Sequence, residues 1–208
     1  MGTGQTTLFL IRHGQTVGNT QKIYQGQMDT PLTPAGREQA RLVGTRINQI
    51  KPDVVYSSDL GRSVETAEIA CCELDKEIQL HKGLRERHFG IFQGIGFKEA
   101  ERQYPEIFSN YRGQDPDFRI PKGETHRELI DRITKTLKEV AYGNAGKTIA
   151  LFTHGGVVGY FFAHHLGFTM ESGIHAFAIN NGSFSKFLYS DGEFSLQSFG
   201  DTHHMDYT

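Results

Sequence analysis

Two short apolar runs, each closing on a histidine and a glycine, limit what these 208 residues can become. Leu8-Phe9-Leu10-Ile11 runs into Arg12-His13-Gly14, and Thr148-Ile149-Ala150-Leu151-Phe152 runs into Thr153-His154-Gly155-Gly156. An unbroken apolar run of this length, bounded by glycine, reads as a strand buried on both faces, as in parallel sheets covered by helices. Such a strand delivers whatever follows it to the C-terminal edge of the sheet, where open α/β sheets bind their ligands. One histidine after a strand is commonly structural. Two such endings, one preceded by Arg12, point to two imidazoles and a guanidinium meeting at one site.

Strand and helix signals alternate at both ends of the chain, which argues for βαβ units and a mainly parallel central sheet flanked by helices, a three-layer αβα arrangement. The first strand is expected over Thr7–Ile11. A helix follows from Thr33, with Pro34 at its first position and Ala40, Val43, Gly44 and Ile47 on one stripe. Asp53–Tyr56 reads as a second strand running into Ser57-Ser58-Asp59, Leu60–Leu74 as another helix and Glu77–Leu80 as a third strand. Residues 83–123 are rich in glycine, arginine and aromatics and read as an inserted irregular or helical segment carrying part of a site. Thr125-His126-Arg127-Glu128 is a capping box opening a long helix with its stripe at Leu129, Ile130, Ile133, Leu137, Val140 and Ala141. The second His-Gly strand and an apolar helix to about Leu166 come next, then strands near Ala176–Ile179, Ser185–Tyr189 and Ser195–Phe199. With no repeat or linker, residues 1–208 are expected to form a single domain.

The composition narrows the function by exclusion. A formal net charge of −2 gives no support to nucleic-acid binding, so any affinity for phosphate has to be local. No run approaches the roughly 18 apolar residues of a membrane span, and the N-terminus lacks the pattern of a signal peptide. Thr6 is compatible with myristoylation of Gly2, a match cheap by chance. Cys71 and Cys72 are adjacent and have no third cysteine to pair with, which fits a reduced, cytoplasmic chain. There is no phosphate-binding Gly-x-x-x-x-Gly-Lys loop and no Gly-x-Ser-x-Gly elbow.

Arg12-His13-Gly14-Gln15-Thr16, followed by Asn19 and Gln25-Gly26, is a vocabulary for holding phosphate: a bidentate fork, neutral donors, and glycine where backbone N–H groups approach an anion. Gly155 offers the same on the second strand. In Ser57-Ser58-Asp59-Leu60-Gly61-Arg62, a helix starting near Asp59 sets Arg62 in its first turn, where the helix dipole disfavours a cation. The ordinary reading is a solvated arginine; its place just past a strand end makes it a site candidate. Glu86, within Leu84-Arg85-Glu86-Arg87-His88-Phe89, lies beside apolar and aromatic residues suited to a proton donor, although by itself it reads as a surface residue paired with Arg85 or Arg87. His164-His165, on the helix after the site, and His203-His204, in a polar tail, are neighbours whose side chains diverge by about 100° on a helix. They make poor metal ligands, and Phe161, Phe162 and Phe168 read as core.

Taken together, Leu10-Ile11-Arg12-His13-Gly14-Gln15-Thr16, Ser57-Ser58-Asp59-Leu60 with Arg62 and Thr66-Ala67, Leu84-Arg85-Glu86, and Thr153-His154-Gly155-Gly156 resemble the histidine phosphatase superfamily. That superfamily includes cofactor-dependent phosphoglycerate mutases and many phosphatases. The resemblance spans residue 8 to about 200. It implies that His13 takes the phosphoryl group as a phosphohistidine, that Arg12, Arg62 and His154 surround the phosphate with Asn19 adding a donor, and that Glu86 protonates the leaving oxygen and then activates water. Phosphoryl transfer depends mostly on positioning and charge stabilisation, so two guanidiniums and an imidazole supply what a metal supplies elsewhere.

The leading expectation is a phosphomonoesterase for a small phosphorylated metabolite, working without metal or other cofactor, as a monomer or homodimer. The alternative is a phosphoglycerate mutase: Glu86–Gly94 follows the mutase pattern closely, with Phe89 where a mutase has Tyr. Against it, Asp117–Pro121 passes directly to Lys122-Gly123-Glu124-Thr125 without the long mutase insertion, and Gly156 stands where mutases usually place Asn. A non-catalytic phosphate-binding module is the third reading; it predicts loss of His13, Glu86 or an arginine, and all are present.

Overall fold

The computed structural model describes residues 4–113, 115–168 and 179–205. Six strands form one sheet: β1 (Thr6–Arg12), β2 (Val54–Ser57), β3 (Ile78–Leu80), β4 (Thr148–Thr153), β5 (Phe184–Ser190) and β6 (Glu193–Asp201), in the order β3-β2-β4-β1-β5-β6. The four strands from β3 to β1 are parallel. β5 runs antiparallel to β1, and the β5–β6 hairpin makes the edge. The expected mainly parallel sheet is therefore present, with an antiparallel margin.

Alternation along the strands explains the layers. Leu8 and Leu10 of β1 and Ile149 and Leu151 of β4 face one way. They pack on helices α6 (His126–Gly143) and α7 (Gly155–His165) through Leu129, Ile133, Leu137, Val157 and Phe161. Phe9, Ile11, Ala150 and Phe152 face the other way onto α2 (Pro34–Ile50) and α3 (Gly61–Ala70), meeting Val43, Ile47 and Ala67. Because both faces are covered, β1 is apolar throughout Leu8–Ile11 and β4 throughout Ile149–Phe152, which is why they stand out as continuous runs. Thr125 accepts from the Glu128 N–H while Glu128 accepts from the Thr125 N–H, the capping box read from the sequence.

The observed elements differ from expectation at several points. α3 stops at Ala70 rather than Leu74, because its end abuts α2 at Gly44 and the chain turns there. A short helix α1 (Val17–Thr20), capped by Thr16, follows β1 without an apolar stripe to announce it. Within 83–123 lie α4 (Phe97–Gln103) and α5 (Pro105–Arg112), which are too short to show a period and which pack with Tyr24, Phe92, Ala100 and Ile120 in a separate apolar cluster. Phe168 is not core: it is 45% exposed, because Gly167, at positive φ, turns the chain away beyond α7. Of the strand expected over 176–179, residues 176–178 lie outside the described residues, and Ile179 belongs to no strand. None of the described helices is long and apolar enough to cross a membrane.

The loop after β1 is clamped by a backbone contact that tolerates no side chain. A Cβ on Gly36, in the first turn of α2, would meet the Gln15 carbonyl oxygen at 2.0 Å, and one on Gly14 would meet the Gly36 carbonyl oxygen at 2.3 Å. Gly36→Ala is expected to lower stability by about 1–3 kcal/mol through overpacking, read by urea denaturation. A change below about 0.5 kcal/mol would show that the loop yields freely.

Candidate active site

Strand register builds the site. In the β1–β4 ladder Arg12 lies opposite Thr153, and in the β2–β4 ladder Ser57 lies opposite Phe152. The residues that follow, His13, His154 and Ser58, consequently emerge side by side at the C-terminal edge of the sheet. The His13 and His154 ring centroids are 5.2 Å apart, and His154 Nε2 is 2.8 Å from Ser58 Oγ. Both imidazoles are sealed in, with 3% and 0% of their surfaces exposed.

The hydrogen bonds of His13 fix its tautomer. Nδ1 lies 2.7 Å from the Gly14 carbonyl oxygen, which can only accept, so Nδ1 carries the proton. Nε2 faces Arg62, whose Nε–H donates to it at 3.2 Å, so the ring's lone pair is on Nε2. Asn181 secures the same residue from behind, donating to the His13 carbonyl oxygen at 3.0 Å.

Arg62, a site candidate whose helix position alone reads as a solvated arginine, is 2% exposed. Its guanidinium donates to the carbonyl oxygens of Gly26 at 2.7 Å and Met28 at 3.0 Å and to Asp29 Oδ1 at 3.2 Å. Asp29 also accepts from the Gly61 N–H at 2.7 Å, so this carboxylate holds both the start of α3 and the arginine on it. The Gly26 carbonyl reaches Arg62 because residue 26 has a φ of +55°, where a Cβ would also meet Gln93 at 2.3 Å. Arg12 donates through Nη1 to the Ile179 carbonyl oxygen, while its buried Nε has no partner among the described residues. Arg12 lines the cavity, so this donor is left for an anion that enters it.

Glu86 faces these cations across the cavity. Arg85 is paired instead with Asp59 at 2.7 Å, and the Arg87 side chain turns into the protein, so neither arginine neutralises Glu86 as the local reading expected. The Glu86 carboxylate accepts from two backbone donors, the Arg87 N–H at 2.8 Å and the Gly156 N–H at 2.9 Å in the first turn of α7. A Cβ on Gly156 would lie 2.3 Å from Glu86 Oε1, so the carboxylate occupies this place only because residue 156 has no side chain.

A cavity of about 380 Å³ opens onto this constellation. Arg12, His13, Asn19, Gln25, Gly26, Arg62, Glu86 and Gly155 all line it, as expected, and Gly156 joins them. His154 does not reach the wall; it packs behind His13. Asn19 Oδ1 accepts from the Thr16 N–H, and Gln25 Oε1 accepts from Thr16 and Thr30, so the polar ring is pre-ordered. Sequence reasoning missed Asp29 and Asn181, whose roles depend on long-range contacts, and the aromatic wall of Tyr24, Tyr111 and Tyr160. Among the described residues no three His, Cys, Asp or Glu side chains gather as a metal site. His165 instead bonds the Phe194 carbonyl oxygen, and His204 packs edge-on against Phe184.

Burial, reinforced by Arg62 and Arg12, holds the His13 imidazole well below the ordinary value; the bond to Gly14 acts weakly the other way. Burial and then Arg62 do the same to His154. Both rings are therefore expected to stay neutral at pH 6 in imidazole 15N spectra, with His13 protonated on Nδ1. The unfolded chain takes up these protons below about pH 6.5 and the folded chain does not. Stability is accordingly expected to fall as the pH drops from 7 to 5.5, by up to about 1.4 kcal/mol per pH unit for each ring. A His13 resonance that is already cationic at pH 6 would contradict this electrostatic picture.

Comparison with known proteins agrees with this geometry. The sequence profile of the histidine phosphatase superfamily (branch 1) matches residues 8–202. Phosphoglycerate mutase-like protein 4 of Arabidopsis thaliana is 35% identical over 97% of this chain and 87% of its own length. The metal-independent phosphoserine phosphatase of the same plant is 32% identical over 96% and 83%. Among solved structures, Bacillus stearothermophilus YhfR superposes with a TM-score of 0.89 at 28% identity, covering 97% of this chain and all of its own. With two buried imidazoles and two guanidiniums gathered at one sheet edge and a profile match over nearly the whole sequence, the chain belongs to the histidine phosphatase superfamily.

Proposed function

We propose that this protein is a metal-independent phosphomonoesterase acting on a small phosphorylated metabolite through a phosphohistidine at His13. The observation that carries this reading is the lone pair of His13 Nε2 facing the Arg62 Nε–H at 3.2 Å, with Glu86 across the same cavity. A nucleophile, its charge partners and a carboxyl group share one space, as in-line displacement at phosphorus requires.

In the first step Nε2 bonds to phosphorus as the ester P–O bond breaks, and the leaving oxygen takes a proton from the Glu86 carboxyl. Arg12 and Arg62 stabilise charge on the phosphoryl oxygens, Asn19 adds a neutral donor, and His154 supports the face of His13. In the second step Glu86 accepts a proton from water, the water oxygen bonds to phosphorus, the N–P bond breaks and phosphate leaves.

A phosphoglycerate mutase uses the same first step, and several relatives bear mutase or mutase-like names. The mutase must then hold its intermediate away from water while it reorients. Here the chain makes a tight turn at Ile120–Gly123 and passes straight to the cap of α6, with no longer segment there to close over the cavity. Two cations at this turn, Arg119 and Lys122, which could meet a second acidic end of a substrate, lie on a separate groove.

EDTA-treated enzyme is expected to release phosphate from several alkyl monoesters, with little interconversion of 2- and 3-phosphoglycerate even with 2,3-bisphosphoglycerate added. Acid-labile phosphate is expected on His13, and His13→Ala should lose activity by about 10³-fold or more, since the covalent step has no substitute. Robust interconversion with negligible phosphate release would establish the mutase instead.

Glu86→Gln is expected to slow alkyl phosphates far more than an activated aryl phosphate, whose leaving oxygen needs little protonation. Gly156→Ala should show the same bias, because its Cβ displaces the Glu86 carboxylate. Equal losses on both substrate types would assign the proton transfer to another group.

A further inference from the structure

The cavity has two chemically distinct ends. One holds Arg12, His13 and Arg62 with the small polar ring around them. The other is walled by Ile23, Tyr24, Phe89, Phe97, Tyr111 and Tyr160. The Tyr160 hydroxyl is turned to His126, 2.7 Å from its Nε2, and Tyr24 and Tyr111 meet edge-to-face with ring centroids 5.9 Å apart. With Ile23, Phe89 and Phe97 beside these rings, the wall offers mainly ring surface and apolar carbon.

Tyr24 locks this wall in place. Its ring centroid is 4.6 Å from that of Phe97, 5.1 Å from Phe89 and 5.9 Å from Tyr111, in tilted and edge-to-face contacts. Phe97, the outermost of these rings, is 46% exposed although it lines the cavity. An aromatic left partly uncovered at a cavity mouth is a surface for apolar contact.

No cation among the described residues lines this end. Arg87 is fully buried behind the wall, directed at the Glu124 carbonyl oxygen and His126 and covered by the Phe89 and Tyr111 rings. Arg112 acts on Tyr24 and Tyr111 through its field but does not line the cavity, and Arg119 is paired with Glu128 on the surface. A substrate with a second carboxylate would bury it against these rings without a partner, which is costly.

We infer that the alcohol esterified to the phosphate is an apolar moiety of aromatic size, and that substrates bearing a second acid are discriminated against. This rests on the phosphomonoesterase reading above. It assigns Ile23, Tyr24, Phe89 and Phe97 to specificity rather than to the transfer itself.

The test compares 2-phenylethyl phosphate, glycerol 3-phosphate, O-phosphoserine and 3-phosphoglycerate, all with primary alkyl leaving groups of similar intrinsic reactivity. The expected order of kcat/KM is the phenylethyl ester first and the two acids last, at least tenfold apart, with most of the difference in KM. Phe97→Ala, at a half-exposed position, should narrow that ratio at least threefold by weakening the phenylethyl ester most. Phosphate release from the acids equal to or faster than from the phenylethyl ester overturns the inference and leaves the phosphatase intact. Release from none of the four overturns the phosphatase reading and this inference with it.

Discussion

The contact between Arg62 and His13 is the interaction on which the rest of this structure turns. A guanidinium and an imidazole meet with almost none of their surface exposed, and the arrangement is tolerable only because each is otherwise satisfied. Arg62 spends its remaining donors on two backbone carbonyls and Asp29, and His13 spends its Nδ1–H on Gly14. Much of the surrounding architecture exists to present those acceptors. The positive φ of Gly26 turns its carbonyl to Arg62, and the Gly14–Gly36 contact fixes the loop that carries His13. An imidazole that is neutral at physiological pH beside two cations is a nucleophile whose own charge never competes with the anion it meets.

The second organising element is the aromatic cluster built by residues 83–123 with Tyr24. It is separate from the two apolar layers that hold the sheet, and it forms the far wall of the same cavity. Its anchor is Arg87, a cation sealed behind the wall and covered by two rings. The same short segment, Glu86-Arg87, thereby ties the carboxylate of the site to the surface that meets the rest of the ligand. In the proposed reaction, acid placement and substrate fit are coupled through adjacent residues.

The legible parts of the sequence are those where local chemistry and tertiary role coincide. β1 and β4 were readable because burial on both faces demands apolar residues at every position. α6 was readable because its capping box and its stripe agree. His13, Arg12 and His154 were readable because strand ends determine where the following residues emerge. Arg62 and Glu86 needed the resemblance: one read as a solvated arginine and the other as a surface partner of Arg85 or Arg87, and local spacing carries no sign that Asp59 claims Arg85 instead. α4 and α5 escaped because helices of seven and eight residues owe their stability to packing on aromatics rather than to periodicity.

By itself, the sequence determined the layered α/β plan, the strands and the identity of the groups gathered at their ends. It did so because hydrophobic alternation and helix caps are short-range codes. Only the tertiary structure decided the proton position on His13, the burial of Arg62, the two N–H donors holding Glu86, and the division of the cavity into a cationic end and an aromatic end. Each of these depends on groups distant in the chain, such as Asp29 with Arg62, Gly156 with Glu86, and Tyr24 with Phe97 and Tyr111. Their proximity follows from strand register and helix packing, which no local pattern encodes.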